Sequence, residues 1–429
     1  MTYPDSVRFL YALGNEARSS RLGLERMTAL LEALGHPHRT GRFIHVAGTN
    51  GKGSVCAMLE SALRAAGLRT GLYTSPHLAE PTERIRIGGR PVAAEQFVWA
   101  FEQVHLAAEL ALRDGRLEHH PTYFETVTAM AFVLFREQAV KSAVLEVGLG
   151  GRLDATNVVT PQLCVITPID FDHETYLGKS LEAIAAEKAG ILKPGVPAVF
   201  AAQRPEVIGT LEAAAAAAGI EPVWTSRWRA EELVLVPEGS RFLAVGPREL
   251  RIECPLAGEH QVANALTALT ALDCMGVPDE AIRDGLRQVR WPGRLERVST
   301  APEIILDGAH NPAGARALAG YIERFCGGRR VWLIYGAMRD KAVSEMSAIL
   351  FPLAQEVIAT APDQARAVRP ELIREMVTHP RLRTAPRVAD ALAPARQAAP
   401  EDVVFVTGSL FLVGEARALL TCSQRACSL

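Results

Sequence analysis

Short, nearly unbroken apolar runs alternate along this chain with amphipathic stretches of helical period. In the first part the runs are residues 43–47, 69–73, 143–147, 163–167 and 197–200. Runs of this kind predict strands buried on both faces of a parallel sheet. Between them, apolar spacing predicts helices over 55–66, 93–112, 122–135, from 181 to 190 and over 205–219. The helix at 122 opens after Pro121 with Thr122 and Glu125, the spacing of a capping box. Ahead of residue 43, Leu22, Leu24, Met27, Leu30, Leu31 and Leu34 form one apolar stripe, which reads as a helical packing arm. Residues 221–253 change character. Short apolar pieces separated by Pro237-Glu238-Gly239-Ser240 and Gly246-Pro247 predict a small antiparallel meander. Helices follow at 262–275 and 278–289. Trp291-Pro292-Gly293-Arg294-Leu295-Glu296 then breaks both periods and marks a boundary. Beyond it, runs at 304–306, 331–335, 356–358 and 403–406 alternate with helical segments, the first from Pro312, as in a second α/β layer structure.

Composition narrows the class without changing that outline. With 429 residues, 48% hydrophobic and 22% charged, the chain has the make-up of a folded two-domain protein. A net charge of −2 offers no bulk attraction to nucleic acid or to an anionic membrane, and neither is expected as a partner. Seven scattered cysteines without a CxxC pair read as reduced thiols, so a cytoplasmic location is expected. The start shows no secretory leader, and no apolar run approaches the roughly 18 residues of a membrane span. A monomer is the default state.

The candidate chemistry gathers at strand ends. Gly48-Thr49-Asn50-Gly51-Lys52-Gly53-Ser54 joins the first strand to a helix. Glycines there let N–H groups turn to an anion, the helix N-terminus adds partial positive charge, and Lys52 can neutralise phosphate. The match to GxxxxGK[ST] is imperfect, since Val46 stands at the first glycine and Gly53 separates Lys52 from Ser54. Thr74-Ser75-Pro76-His77 ends the second strand. Glu146 ends the third, as a carboxylate placed to hold Mg²⁺. Asp170-Phe171-Asp172-His173 ends the fourth, a second set of metal-capable groups. Gly148-Leu149-Gly150-Gly151 lacks the GxGxxG spacing of a dinucleotide site. Lys188 reads as a helix-end lysine favoured by the dipole. Asn264 lies in the first turns of a helix, where its amide can reach a ligand. Asp307 and His310, in Asp307-Gly308-Ala309-His310-Asn311-Pro312, sit where a ligand meets a strand end, with Asn311 as a helix cap. A GTPase switch would carry an [NT]KxD motif after the loop, and none follows.

Taken together, 48–54, 74–78 with 83–87, 122–125, 145–157, 172–173, 187–190, 293–296 and 307–312 resemble, in the same order, the folylpolyglutamate synthase / dihydrofolate synthase family of Mur-ligase-like ATP-dependent amide ligases. The Gly-Lys-Gly-Ser form is that family's own. A Mur-type cell-wall ligase would need a further domain ahead of residue 43. The resemblance implies an α/β protein with a P-loop-containing N-terminal ATPase domain (1–290) that includes the meander. It also implies a linker (291–296) and a smaller Rossmann-like C-terminal domain (297–429). It implies ATP bound by Thr49, Asn50, Gly51, Lys52, Gly53 and Ser54, with Asn264, Arg294, Asp307 and His310 across the cleft. It implies Mg²⁺ on Ser75, Glu146 and His173, and a carbamylated Lys188 that helps hold a second Mg²⁺. Lys52, Lys188 and His173 are then the catalytic set. Thr122-Tyr123-Phe124-Glu125 and Leu153-Asp154-Ala155 match pterin-binding stretches. The expected substrates are L-glutamate and dihydropteroate or folate; the match at 122–125 favours both activities, with a folylpolyglutamate synthase alone as the alternative.

Overall fold

The computed structural model describes residues 1–14 and 23–426. Leu22 of the amino-terminal stripe lies outside them. Strand β1 (Arg42–Ala47) runs through the middle of an eight-stranded sheet. The sheet also holds β2 (Thr70–Tyr73), β3 (Ile85–Ile87), β4 (Arg90–Pro91), β5 (Ser142–Glu146), β6 (Leu163–Ile166), β7 (Ala198–Phe200) and β8 (Val223–Trp224). Its order is β4-β3-β2-β5-β1-β6-β7-β8. The strands β2, β5, β1, β6, β7 and β8 are parallel. The next two turn back as an antiparallel edge, β3 on β2 and β4 on β3. The apolar runs are buried on both faces because helices cover both. Lys52–Ala65 and Glu259–Cys274 pack on one face with Val46, Val55, Met58, Leu59 and Leu269. The other face is covered by Ala94–Arg113 and Tyr123–Glu137 with the amino-terminal helices Tyr3–Ala12 and Glu25–Ala33, through Leu10, Met27, Leu30, Phe101 and Phe132.

The meander is β9 (Arg229–Val236), β10 (Gly239–Val245) and β11 (Glu249–Cys254), antiparallel throughout. In β11 Leu250, Ile252 and Cys254 are buried while Glu249, Arg251 and Glu253 face water, the alternation of a half-buried strand.

The second sheet has order β12-β13-β17-β14-β15-β16. Its strands are β12 (Glu296–Thr300), β13 (Glu303–Leu306), β14 (Val331–Tyr335), β15 (Glu356–Ala359), β16 (Leu382–Thr384) and β17 (Val403–Thr407). All are parallel except β12, which pairs antiparallel with β13. Glu296, expected as the last linker residue, is therefore the first residue of a strand. Its mixed, half-exposed side chains hid β12 from a reading based on apolar runs. The three-residue β16 and two-residue β8 are too short to show a period.

Candidate functional site

The phosphate-type loop has the backbone its glycines allow. Gly48 has φ 147°, and a Cβ there would lie 1.9 Å from Thr167 Oγ1. Gly51 caps the Lys52–Ala65 helix at φ 84°, and a Cβ there would lie 2.3 Å from Asn264 Oδ1. The amides of Thr49 and Asn50 both donate to Pro168 O, at 2.9 and 3.1 Å. Thr49 Oγ1 exchanges hydrogen bonds with the backbone of Asp170. These two residues therefore lock the loop to the end of β6. The first N–H groups of the helix, which have no intrahelical acceptor, are the ones left to face an anion. Ser54 Oγ accepts from Gln261 Nε2 at 3.2 Å, and Gln261 Oε1 accepts from Asn264 Nδ2 at 3.0 Å, which ties the loop to the Glu259–Cys274 helix.

Two lysines meet on one carbonyl. Lys52 Nζ donates to Gly48 O at 3.1 Å and to Thr49 O at 3.2 Å. Lys188 Nζ donates to the same Gly48 O at 2.9 Å. Lys188 is buried, at the last turn of Leu181–Ala189. Burial first, and then the charge of Lys52, hold its ammonium down to about 7. Glu146, at the end of β5, is buried and accepts from the Ser75 amide at 3.1 Å. Burial raises its carboxyl, against the pull of Lys52 and Arg294. Ser75, Glu146, Arg294, Trp291 and Leu410 line one cleft between the two sheets.

His173 starts a short helical turn with φ 53°, beside Asp172. Burial first, and then Lys341, bring its imidazole down to about 4, so it is neutral at physiological pH with a lone pair to offer. Asp172 is the meeting point of the two lobes. Lys341 Nζ donates to its Oδ1 at 2.5 Å, and His310 Nε2 stands 3.7 Å away. Burial alone would raise the Asp172 carboxyl; Lys341, His173 and His310 outweigh it and carry it well below the carboxylate range. A second tie is Asn311 Nδ2 donating to Asn50 Oδ1 at 2.9 Å, from the helix cap of one lobe to the phosphate loop of the other. Asn311 also accepts from Gly314 N, as its cap position requires. Lys341, Gln261 and Asn311 thus join the cleft residues. A lone lysine in a loop carries no signal in one sequence; Gln261, one turn before Asn264, carries none of its own, and Asn311 was legible only as a helix cap.

Asp307 does not face the cleft with a free carboxylate. Its oxygens accept from Leu295 N and Ala309 N, both at 3.0 Å, so it holds the linker end against the end of β13. Arg294, half-buried, donates to Gly293 O at 3.0 Å and lies near Glu146 and Asp307, whose charges oppose the desolvation that lowers it.

The stretches expected to meet the pterin lie on the β2 side. Thr122 and Glu125 form the capping box, and Arg26 Nε donates to Glu125 Oε2 at 2.7 Å. Tyr123 stacks on Tyr11, with ring centroids 5.6 Å apart, and the Arg84 guanidinium lies over the Tyr123 ring at 5.1 Å from its centroid. Arg84 Nε donates to His77 Nδ1, which burial and that arginine keep neutral to about pH 3. Phe124 fills the space over Gly148. Asp154 is turned inward: its four acceptor positions take the amides of Gly148, Leu149 and Thr156 and the Thr156 hydroxyl. It shapes the loop after β5 from within, flanked by Leu153 and buried Ala155, and has no position left for a ligand.

A glycine-rich loop with half-buried Lys52 and buried Lys188 on one carbonyl, at the end of a parallel sheet and capped by a second α/β lobe, is the arrangement of the Mur ligase class of ATP-dependent amino-acid ligases. Residues 46–272 match the Mur ligase middle domain, and residues 293–410 match the Mur ligase glutamate ligase domain. Within that class the chain belongs to the folylpolyglutamate synthase / dihydrofolate synthase family. It is 36% identical to the dihydrofolate synthase/folylpolyglutamate synthase of Mycobacterium tuberculosis, over 92% of this chain and 89% of that one. It is 34% identical to the folylpolyglutamate synthase of Lacticaseibacillus casei, over 98% and 99%. A structure of E. coli FolC in complex with DHPP and ADP superposes with a TM-score of 0.87 at 32% identity, covering 98% of each chain.

Proposed function

We propose that this chain uses ATP to join the amine of L-glutamate to the carboxylate of dihydropteroate and to the glutamate tail of (tetrahydro)folate, giving ADP and phosphate. The observation that carries it is the convergence of Lys52, Lys188 and Glu146 on the phosphate loop, beneath a lobe held over it by Lys341 and Asn311. A carboxylate does not react with an amine at neutral pH, because its oxygen is a poor leaving group. Transfer of a phosphoryl group from ATP to that oxygen gives an acyl phosphate. Attack by the glutamate amine then forms the amide and expels phosphate. Lys52, released from Gly48 O and Thr49 O, and the half-buried Arg294 neutralise the charge on the transferring group. The closed cleft keeps water from the acyl phosphate.

Hard oxygens and one neutral imidazole fit Mg²⁺: the Ser75 hydroxyl and Glu146 carboxylate at one place, and His173 at the next strand end. Mg²⁺, when bound, supplies charge neutralisation to the phosphates. Lys188 has what a carbamate needs, an amine neutral near pH 7 and a cation, Lys52, beside it. Addition of CO₂ to that amine, with loss of one proton, makes a carboxylate able to help hold a second Mg²⁺. Tyr123, Phe124 and the loop around Asp154 shape the pterin end. We place the ATPase part in residues 1–290 and the glutamate-ligase part in 297–429, and the free thiols of the described cysteines fit work in the cytosol.

The test is phosphate release with ATP and L-glutamate, with dihydropteroate and tetrahydrofolate supplied separately. Release with both is expected; release with tetrahydrofolate alone leaves a monofunctional folylpolyglutamate synthase, and release with neither rejects the reading. Lys52→Ala is expected to abolish release with an unchanged circular dichroism spectrum.

A further inference from the structure

Away from the cleft, three side chains of ligand type converge. His105 and Glu109 lie one turn apart on the Ala94–Arg113 helix, and His120 comes from the loop that follows it, two residues before Thr122. Glu109 Oε1 is 3.9 Å from His105 Nδ1 and 3.6 Å from His120 Nε2. All three atoms lie within 4.8 Å of one another. Both of those imidazole nitrogens are cut off from solvent and, among the described residues, have no hydrogen-bond partner. Buried polar atoms left in that state are rare and ask for a ligand. The other nitrogen of His120 is occupied: Nδ1 is 3.0 Å from Pro121 O, which can only accept. That contact puts the proton on Nδ1 and leaves the Nε2 lone pair aimed at Glu109, the second-shell arrangement that metal-bound histidines favour. Behind the pair the wall is apolar. Phe101 stacks on His105 at 5.5 Å, and Phe9 meets both imidazoles edge-on, at 4.8 and 5.7 Å. The side of Glu109 is open to solvent.

We propose that His105, Glu109 and His120 bind a divalent transition ion, with Zn²⁺ the best match. Two imidazoles and one carboxylate suit borderline ions of this kind, whereas Mg²⁺ and Ca²⁺ take oxygen ligands. Ligands 2.0–2.2 Å from a tetrahedral ion stand roughly 3.3 Å apart, so the two edges at Glu109 must close by roughly 0.3–0.6 Å, within reach of its flexible side chain, and the edge between the imidazoles by up to roughly 1.5 Å, through the loop that carries His120. Water completes the fourth position from the open side. The ion would brace the end of one helix against the segment that delivers Thr122 and Tyr123, and through Phe9 it would hold the Tyr3–Ala12 helix as well.

The experiment uses the full chain, stripped of metal, in saturating Mg²⁺ to fill oxygen-rich sites, titrated with ZnCl₂ against a chromogenic chelator. One Zn²⁺ per chain is expected, bound at least about tenfold more weakly by Glu109→Gln and by His120→Gln. Co²⁺ in place of Zn²⁺ should give visible d–d bands in the parent that both variants lose. Glu109 is exposed, so Glu109→Gln keeps the fold and separates loss of ligation from unfolding. Absence of stoichiometric Zn²⁺ binding, or equal affinity in either variant, overturns the site.

Discussion

Lys188 joins burial, charge and chemistry more tightly than any other residue of the cleft. Its depressed ammonium sets the sign of a pH effect. Between about 7 and the ordinary 10.5 the unfolded chain holds a proton that the folded chain has released, so stability rises with pH across that window. Below about 7 both states are protonated and the cost of burying the charge is felt in full. Chemical denaturation of Lys188→Met followed from pH 7 to 10 is expected to lose that slope. For the carbamate, Lys188→Ala is expected to lose ligation, with partial return on adding a short carboxylic acid to the assay. Full activity with an unmodified amine in a nucleotide-bound crystal structure would return Lys188 to an ordinary helix-end role. Glu146→Gln and His173→Ala are each expected to raise the Mg²⁺ concentration needed for half-maximal phosphate release by about tenfold or more; unchanged requirements would remove them as ligands. The motif around Lys188 was readable, but its burial was not, because the groups that enclose it, Gly48 and Lys52, lie over 130 positions earlier.

Among the elements, the Tyr123–Glu137 helix was legible to its first residue. Thr122 accepts from Glu125 N, and Glu125 returns the bond, as their spacing predicted. Thr122→Ala removes the cap and is expected to cost about 0.5–2 kcal/mol in urea unfolding. Because the same turn presents Tyr123, the variant should also raise KM for the pterin substrate more than KM for ATP. Equal shifts in both would mean the turn has no role at the pterin end. The meander was legible for a similar reason, its turn residues and period-two alternation being local. Its purpose was not. The β9–β10 turn reaches the other lobe, where Tyr321 Oη donates to Pro237 O at 3.1 Å and Arg297 pairs with Glu238 at 2.7 Å. The strand β12 was missed because it is stabilised by pairing with β13 and by Arg417 on Glu296, not by an apolar run of its own.

At the scale of the molecule, Lys341–Asp172 is, among the described residues, the most buried ion pair between the two lobes, with side chains 9% and 10% exposed. Removing one partner leaves a buried charge alone, a loss of about 3–5 kcal/mol. Lys341→Met is therefore expected to lower the melting temperature and to increase the radius of gyration seen by small-angle scattering; an unchanged radius would mean the other contacts suffice. The depressed carboxyl of Asp172 makes this tie a source of stability above the ordinary carboxylate pKa, lost only as pH falls through the lower folded value, so closure should not weaken anywhere near neutrality. Sequence by itself determined the order of the longer apolar strands and the helices between them, the glycine-rich loop and the candidate groups at those strand ends, because these depend on period, turn chemistry and short motifs. Tertiary structure alone decided which of those groups face the cleft. Asp154 and Asp307 spend their carboxylates on neighbouring amides, whereas Lys341 and Asn311 reach across lobes to Asp172 and to the loop, and Gln261 reaches the loop from a helix of the same lobe. The physical reason is that a hydrogen bond or an ion pair is made by whichever groups packing brings within about 3 Å, and the separation of two residues along the chain does not encode that distance.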